Sequence, residues 1–505
     1  MSHHNSSKKV NYAVIILGLV TFTLMLLFVD LKPGAPEVTY TAAIAILMAL
    51  WWIFEAIPIG VTSLLPIILF PLMGVMDGKS ISQAYINYVI FLFIGGFYMA
   101  LAIEKWGLHK RIALKILSVI GSSPFRILLG FMLVAAFLSM WMSNTATAMM
   151  MLPIAFSVST ELSNVHGEEM VKSLNSGILL GIAYSCSVGG IATLVGTPPN
   201  LSFIRIFNII FPEGPEIAFG EWLIFALPIT VIMFSIILIL VYYMYKPRGE
   251  IKRLNSSFFK DQYINLGPIT KEQKRVFILF CFMVLLWVFR KRIEIGTFSL
   301  PGWSDLFNNP EYFNDGTIAI FVAVLLFIIP STRPGEGLIN WRITKKIPWN
   351  IVLLFGGGFA LAQAFIESGL SEYMGSLLAS AENVPSFGLI GILSSVMTFL
   401  TEFTSNTATT EMLLPVVAGL SEQIAINPLL LMIPVTLAAS MAFMFPIATP
   451  PNAIVFGTGR LTMKQMAKTG IILNIVAIII LTVFTYFWGT LVFGIDTGIF
   501  PEWAL

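Results

Sequence analysis

Ser143-Asn144-Thr145-Ala146-Thr147, followed by Pro153, recurs later as Ser405-Asn406-Thr407-Ala408-Thr409, followed by Pro415. The copies lie 262 residues apart. The same spacing carries Gly95-Gly96-Phe97 onto Gly357-Gly358-Phe359 and Gly107-Leu108 onto Gly369-Leu370. A second string trails each copy: Gly196-Thr197-Pro198-Pro199-Asn200 and Ala448-Thr449-Pro450-Pro451-Asn452, now 252 residues apart. Only a connecting loop changed length between the strings. Matches in one register mean an internal duplication, and both copies place small hydroxyl and amide residues inside apolar sequence.

That apolar setting fixes the class. Of 505 residues, 57% are hydrophobic and 11% charged, against about 25% charged in soluble domains. Mean hydropathy is +0.87, and runs of roughly 20 apolar residues, enough to cross a bilayer, recur throughout. The chain reads as an all-α polytopic membrane protein. A net charge of +2, with basic residues confined to short loops, leaves no nucleic-acid footprint. Cys186 and Cys281 both fall in apolar stretches, so neither a disulfide nor a metal site is expected. His3 and His4 belong to a polar leader. The run from Tyr12 to Val29 lacks a small-residue cleavage site and reads as a span, not a signal peptide.

Spans are expected at 12–29, 40–57, 59–76 and 85–104. Lys8 and Lys9 precede the first and place the N-terminus in the cytoplasm. Lys105, Lys110, Arg111, Lys115 and Arg126 then read as a cytoplasmic basic loop. Region 124–160 reads as two arms of about 17 residues meeting at Ser143-Asn144-Thr145, short for a full crossing. It is a candidate re-entrant hairpin, open to the cytoplasm. The span 174–211 is interrupted at Gly196-Thr197-Pro198-Pro199, where two prolines remove two backbone donors. At membrane depth such a break is tolerated where it lines a cavity or is buried in protein.

Spans at 222–245, 276–290, 316–331 and 349–366 follow, with a basic cytoplasmic loop at 246–275 and a polar outer loop at 291–315. Glu367, Glu372 and Glu382 have no Lys or Arg beside them, so the second hairpin, 385–425, should open to the outside. A broken span at 428–459 and a last span at 470–494 leave the C-terminus outside. The plan is eleven transmembrane helices plus two re-entrant hairpins. Five spans separate the hairpins, and an odd number inverts one repeat against the other. Inverted repeats with paired broken helices point to a secondary transporter with its site near the midplane. The chain then divides into first-repeat helices (1–123), a first hairpin with its broken helix (124–211), connecting and second-repeat helices (212–384), a second hairpin with its broken helix (385–460), and the last helix with the C-terminus (461–505).

The two Ser-Asn-Thr tips and the two Thr-Pro-Pro breaks supply hydroxyls, amides and backbone groups freed from helical bonding. Helix N-termini suit a carboxylate, and loop carbonyls with Ser, Thr and Asn oxygens suit a small hard cation. Stretches 127–171, 173–204 and 386–459 contain no Lys or Arg. A dianion brought there needs compensation, since unpaired buried charge is very costly. Sodium ions bound beside it would supply that compensation, and the twofold pattern suggests at least two. Glu402 and Glu411, inside the second hairpin, are candidate proton carriers or groups that face cavity water, because an intramembrane carboxylate is a functional candidate by default. The first hairpin has no acid at the matching places, so an acid is not part of the symmetric site. The glycine runs read as close-packing positions.

These motifs resemble the divalent anion/sodium symporter family of di- and tricarboxylate transporters, above all its bacterial sodium–dicarboxylate members. The resemblance covers nearly the whole chain. It implies a homodimer in the plasma (inner) membrane, with a scaffold and a mobile transport domain working as an elevator. By motif, it implies one sodium site at Ser139, Ser143, Asn144 and Gly196. A second would use Thr401, Thr404, Asn406 and Ala448, with backbone carbonyls from Thr404 and Ala448. Substrate would meet Asn144, Thr145 and Thr197 on one side, and Ser405, Asn406, Thr407, Thr449 and Pro450 on the other. Thr145 and Thr407 at both tips make a C4-dicarboxylate (succinate, malate or fumarate) the expected substrate. The rival readings are a sodium-independent exchanger on the same fold, an inorganic-anion carrier and a channel. No nucleophile–base pair, metal cluster or nucleotide loop speaks for an enzyme.

Overall fold

The computed structural model describes residues 11–247, 258–295 and 298–505. The chain opens with α1 (Tyr12–Phe28) and α2 (Pro36–Ile53). Next come two short helices, α3 (Ile59–Thr62) and α4 (Leu65–Leu72), then α5 (Gly78–Tyr85) and α6 (Tyr88–Lys105). The single span expected at 59–76 is therefore two pieces. Pro66 lacks the N–H that would carry a helix through Ser63-Leu64, and Pro71 falls in the last turn of α4.

A second departure is α7 (Leu108–Ile120), where charge alone suggested a loop. Leu108, Ala113, Leu114 and Leu117 are buried along one face, a helical periodicity that the charges masked. His109 and Arg111 are buried with them. Arg111 donates from Nε to Gln273 Oε1 (2.8 Å) and from Nη2 to the carbonyls of Leu266, Gly267 and Pro268. It ties α7 to the start of a later helix instead of facing water.

The first motif region is α8 (Pro124–Ser139), α9 (Asn144–His166), α10 (Glu168–Ile191) and α11 (Pro198–Ile210). Both α9 and α10 extend beyond the expected bounds, so they nearly meet at Gly167 (φ +83°). The middle of the chain holds α12 (Phe219–Tyr245), α13 (Phe258–Ile264), α14 (Lys271–Val288), a hairpin of β1 (Ile293–Ile295) with β2 (Phe298–Leu300), and α15 (Asp315–Ile328). Of the basic residues expected in the 246–275 loop, Arg248, Lys252 and Arg253 lie outside the described residues.

The element order of the first half then repeats. A long helix, α16 (Trp349–Glu367), and a short one, α17 (Leu370–Leu377), precede the second hairpin arms, α18 (Ser386–Thr401) and α19 (Asn406–Gln423). The broken helix follows as α20 (Pro428–Ala438) and α21 (Pro450–Phe456), and α22 (Met463–Phe484) begins seven residues before the expected last span. Arms α8 and α18 match end for end at the 262-residue spacing. Gly107 and Gly369 hold the same left-handed turn (φ +67° and +75°), which a Cβ would strain.

Six helices among the described residues are long and apolar enough to cross a membrane unaided, including α2, α10, α12 and α16. The remaining apolar helices, α8 and α18 among them, are shorter. Packing crosses between the halves: α6 lies on α15, and α16 lies on α3 and α5. The glycine runs form these contacts. A Cβ on Gly95 would come 2.5 Å from the Ala319 backbone, and one on Gly357 2.6 Å from Ser63 O.

Candidate functional site

The first tip is a tight turn between α8 and α9. Ser143 caps α9, its Oγ accepting from Ala146 N at 3.2 Å. Ser139, the last residue of α8, is fully buried. Its hydroxyl reaches two oxygens, Asn144 Oδ1 and Cys186 O, the latter at 2.8 Å. Three oxygens thus share one hydrogen, an electron-rich cluster suited to a cation. Gly190 brings in a fourth. A Cβ there would lie 2.9 Å from Asn144 Oδ1 and 3.1 Å from Gly196 O, so only glycine lets both approach.

The second tip rebuilds this arrangement. Thr401 Oγ1 bonds Asn406 Oδ1 (2.7 Å) and Ala439 O (3.1 Å). Thr404 spends its hydroxyl on Leu400 O and Thr409 Oγ1, which leaves its carbonyl as the group for a ligand. Ala448 is buried within the break. Ser405 makes no capping bond with its side chain, unlike Ser143.

The breaks are stapled alike. Asn200 Nδ2 donates to Ile191 O (3.4 Å) and Thr193 O (2.8 Å). Asn452 Nδ2 donates to Ala442 O (3.2 Å) and Phe445 O (3.1 Å). Each amide holds the carbonyls that the lost helical turn would have paired. Thr449 caps α21 through Asn452 N. The two breaks touch where Thr197 Oγ1 meets Ser440 Oγ at 3.4 Å. Each tip helix packs on the far half of the other repeat's broken helix, α9 on α21 and α19 on α11. All four motifs are thereby drawn into one region.

Access differs among the residues named from sequence. Ser143, Asn144, Thr145, Ser405 and Asn406 are half-buried, whereas Thr197, Thr407 and Thr449 are buried and Pro450 is exposed. Among the described residues no Lys or Arg bonds to either oxygen cluster, in keeping with the cation-free stretches. The region offers the N-termini of α9, α11 and α19 to an anion and two oxygen clusters to cations.

The two acids part company. Glu402 accepts from the backbone N–H groups of Phe443, Met444 and Phe445 at 2.7–3.1 Å and from Asn474 Nδ2 at 2.7 Å. It is a clamp on the second break, one residue from Thr401. Glu411 has a single bonded partner among the described residues, Ser202. Sequence reading overlooked Gly190, Thr193, Asn200, Ser440, Asn452 and Asn474. Asn200 and Asn452 were discoverable, because they end the repeated Thr-Pro-Pro-Asn string. Asn474 has no such signal.

Comparison with known proteins gives the family. Residues 8–495 match the family described as the sodium:sulfate symporter transmembrane region. A sodium-dependent dicarboxylate transporter of Staphylococcus saprophyticus, SdcS, is 39% identical, over 97% of this chain and 94% of its own length. Solute carrier family 13 member 2 of Mus musculus is 40% identical over the same shares. Among solved structures, the YdaH transporter of Alcanivorax borkumensis (TM-score 0.54, 12% identity, 83% of this chain and 91% of that one) shares the fold. So does MtrF of Neisseria gonorrhoeae (TM-score 0.54, 11% identity, 93% and 97%). The chain belongs to the sodium:sulfate symporter transmembrane family.

Proposed function

We propose that the protein is a sodium-coupled symporter of C4-dicarboxylates such as succinate, malate or fumarate. The observation that carries this is the pair of oxygen clusters, at Ser139–Asn144–Cys186 and Thr401–Asn406–Ala439, each sharing one hydrogen among three oxygens. A sodium ion in each, completed by Ser143 and Gly196 or by Thr404 and Ala448, neutralises a dianion. The substrate is held by Asn144, Thr145, Thr197, Ser405, Asn406, Thr407, Thr449 and Pro450. The names of SdcS and its relatives support dicarboxylate over sulfate.

The proposed arrangement has eleven spans and two re-entrant hairpins in inverted repeats, with the N-terminus cytoplasmic and the C-terminus outside the plasma membrane. Regions 124–211 and 385–460 form the moving part, and the helices of 1–123 and 212–384 form the scaffold of a homodimer working as an elevator. Sidedness is checked by impermeant labelling. Lys115→Cys and Lys260→Cys should react only from the cytoplasm, and Glu372→Cys only from outside. Reaction of Lys115→Cys and Glu372→Cys from one side overturns the inverted arrangement.

The function is tested by uptake of labelled succinate into proteoliposomes with and without an inward sodium gradient. Uptake that requires the gradient is expected. Uptake that ignores sodium but needs internal dicarboxylate would make the protein an exchanger. Preference for sulfate would move it to inorganic anions.

A further inference from the structure

Glu411 lies on α19, five residues beyond Asn406, and is fully buried. Its Oε1 accepts from Ser202 Oγ on α11. Its Oε2 is buried with no hydrogen-bond partner among the described residues. Opposite stands Gly358 of α16, where any side chain would collide with the carboxyl. The elements packed on α19 are α2, α11, α16, α17, α18 and α20. Their charged residues are Glu37, Arg205, Glu367 and Glu372, with Glu422 on α19 itself. Among the described residues none of these bonds to Glu411. At the matched place in the first repeat stands Met149, so the duplicated pattern does not carry the acid.

An ionised carboxylate in this position would leave a charged oxygen in a fully buried contact with no donor bonded to it among the described residues, at a cost of several kcal/mol. A hard cation needs several oxygen ligands, and among the described residues the Ser202 hydroxyl alone bonds here. A proton needs no cage. It converts the carboxylate to a neutral acid, is taken from bulk water and returns there.

We propose that Glu411 is a proton-binding site, and that its proton must be in place for α19 to move along α16, so that loss of this one proton stops transport. The inference rests on the elevator transporter reading, in which α19 moves and α16 does not. Asn406 starts the same helix, so the protonation state of Glu411 acts on the element that carries the second tip.

The test is succinate counterflow in proteoliposomes at saturating sodium, read from about pH 6.5 to about pH 9.5, which brackets where buried carboxylic acids release their proton. The wild-type rate should fall on the alkaline side along a one-proton curve, about tenfold per pH unit past its midpoint. Glu411→Gln keeps the shape without a proton to lose, and should transport without that fall. Glu411→Met, the residue of the matched position, serves the same arm if the Gln variant fails to fold. Ser202→Ala removes the one donor to the ionised form and should move the fall to higher pH, a readout that needs no change at Glu411.

A flat wild-type profile overturns the proposal, as does a Glu411→Gln profile that falls with the wild type. Folded but inactive Gln and Met variants also overturn it, because the charge and not the proton would then be required. A fall whose midpoint shifts with sodium, in a second series that includes sodium below saturation, assigns the site to sodium instead. Counterflow absent at every pH defeats the transporter reading itself, whereas counterflow that is present and flat defeats only the role of Glu411.

Discussion

The break between α10 and α11 and the break between α20 and α21 solve one problem with opposite chemistry. In the first, Thr193 Oγ1 donates to the carbonyl of Met140 at 2.5 Å. In the second, the residue matching Met140 is Glu402, and its carboxylate accepts from the backbone of Phe443, Met444 and Phe445. Phe445 is the match of Thr193 at the 252-residue spacing. The contact between the end of the hairpin arm and the break is conserved in place, but donor and acceptor have changed sides. A side chain gives to backbone in one half, and backbone gives to a side chain in the other. The swap has an electrostatic consequence: a carboxylate lies beside the second oxygen cluster, and among the described residues none bonds at the first.

The largest effect should come from cutting the second clamp. Glu402→Ala strands three backbone N–H groups and the Asn474 amide, at about 1–3 kcal/mol for each buried group left unpaired. Thr193→Val removes one neutral hydrogen bond, worth about 0.5–1.5 kcal/mol. Thermal unfolding in detergent should therefore fall much further for the first variant than for the second. Equal losses would mean that the two breaks are held alike after all.

A smaller effect sharpens the comparison at the clusters. Asn144→Ala and Asn406→Ala each remove one hydrogen-bonding oxygen from a charged ligand, about 1.5–3 kcal/mol, or roughly 10- to 150-fold in affinity. Each Asn can give its oxygen to sodium and its NH2 to a carboxylate, so sodium and succinate should raise each other's affinity by the same factor. Succinate binding to the purified protein, titrated with sodium while potassium keeps ionic strength fixed, reads this factor. It should shrink in both variants, with the Asn144 variant reaching saturation at higher sodium because no carboxylate assists its cluster. Succinate affinity that is independent of sodium in the wild type would end the coupling argument.

Much of this could be read from the chain alone. Composition and apolar runs set the class, and two strings repeated in register marked the tips and breaks, because a duplicated site leaves the same small polar residues in both copies. Asn144 and Asn406 stand in the repeated strings for that reason, whereas Ser139 and Thr401 were reached only through the family resemblance. Where reading failed, a stronger local signal hid a weaker one. The charges of α7 concealed its buried face, and proline placement at Pro66 and Pro71 divided what hydropathy joined.

Tertiary structure decided what depends on partners distant in sequence. Whether an intramembrane acid is a clamp or a lone carboxyl is a property of its neighbours. Glu402 and Glu411 stand nine residues apart on one hairpin and look equivalent in sequence. Only folding brings Asn474 and three freed N–H groups to the first, and leaves the second with Ser202 and a glycine. Local sequence sets which groups can bond, but the cost of a buried charge is set by how many of those groups actually arrive.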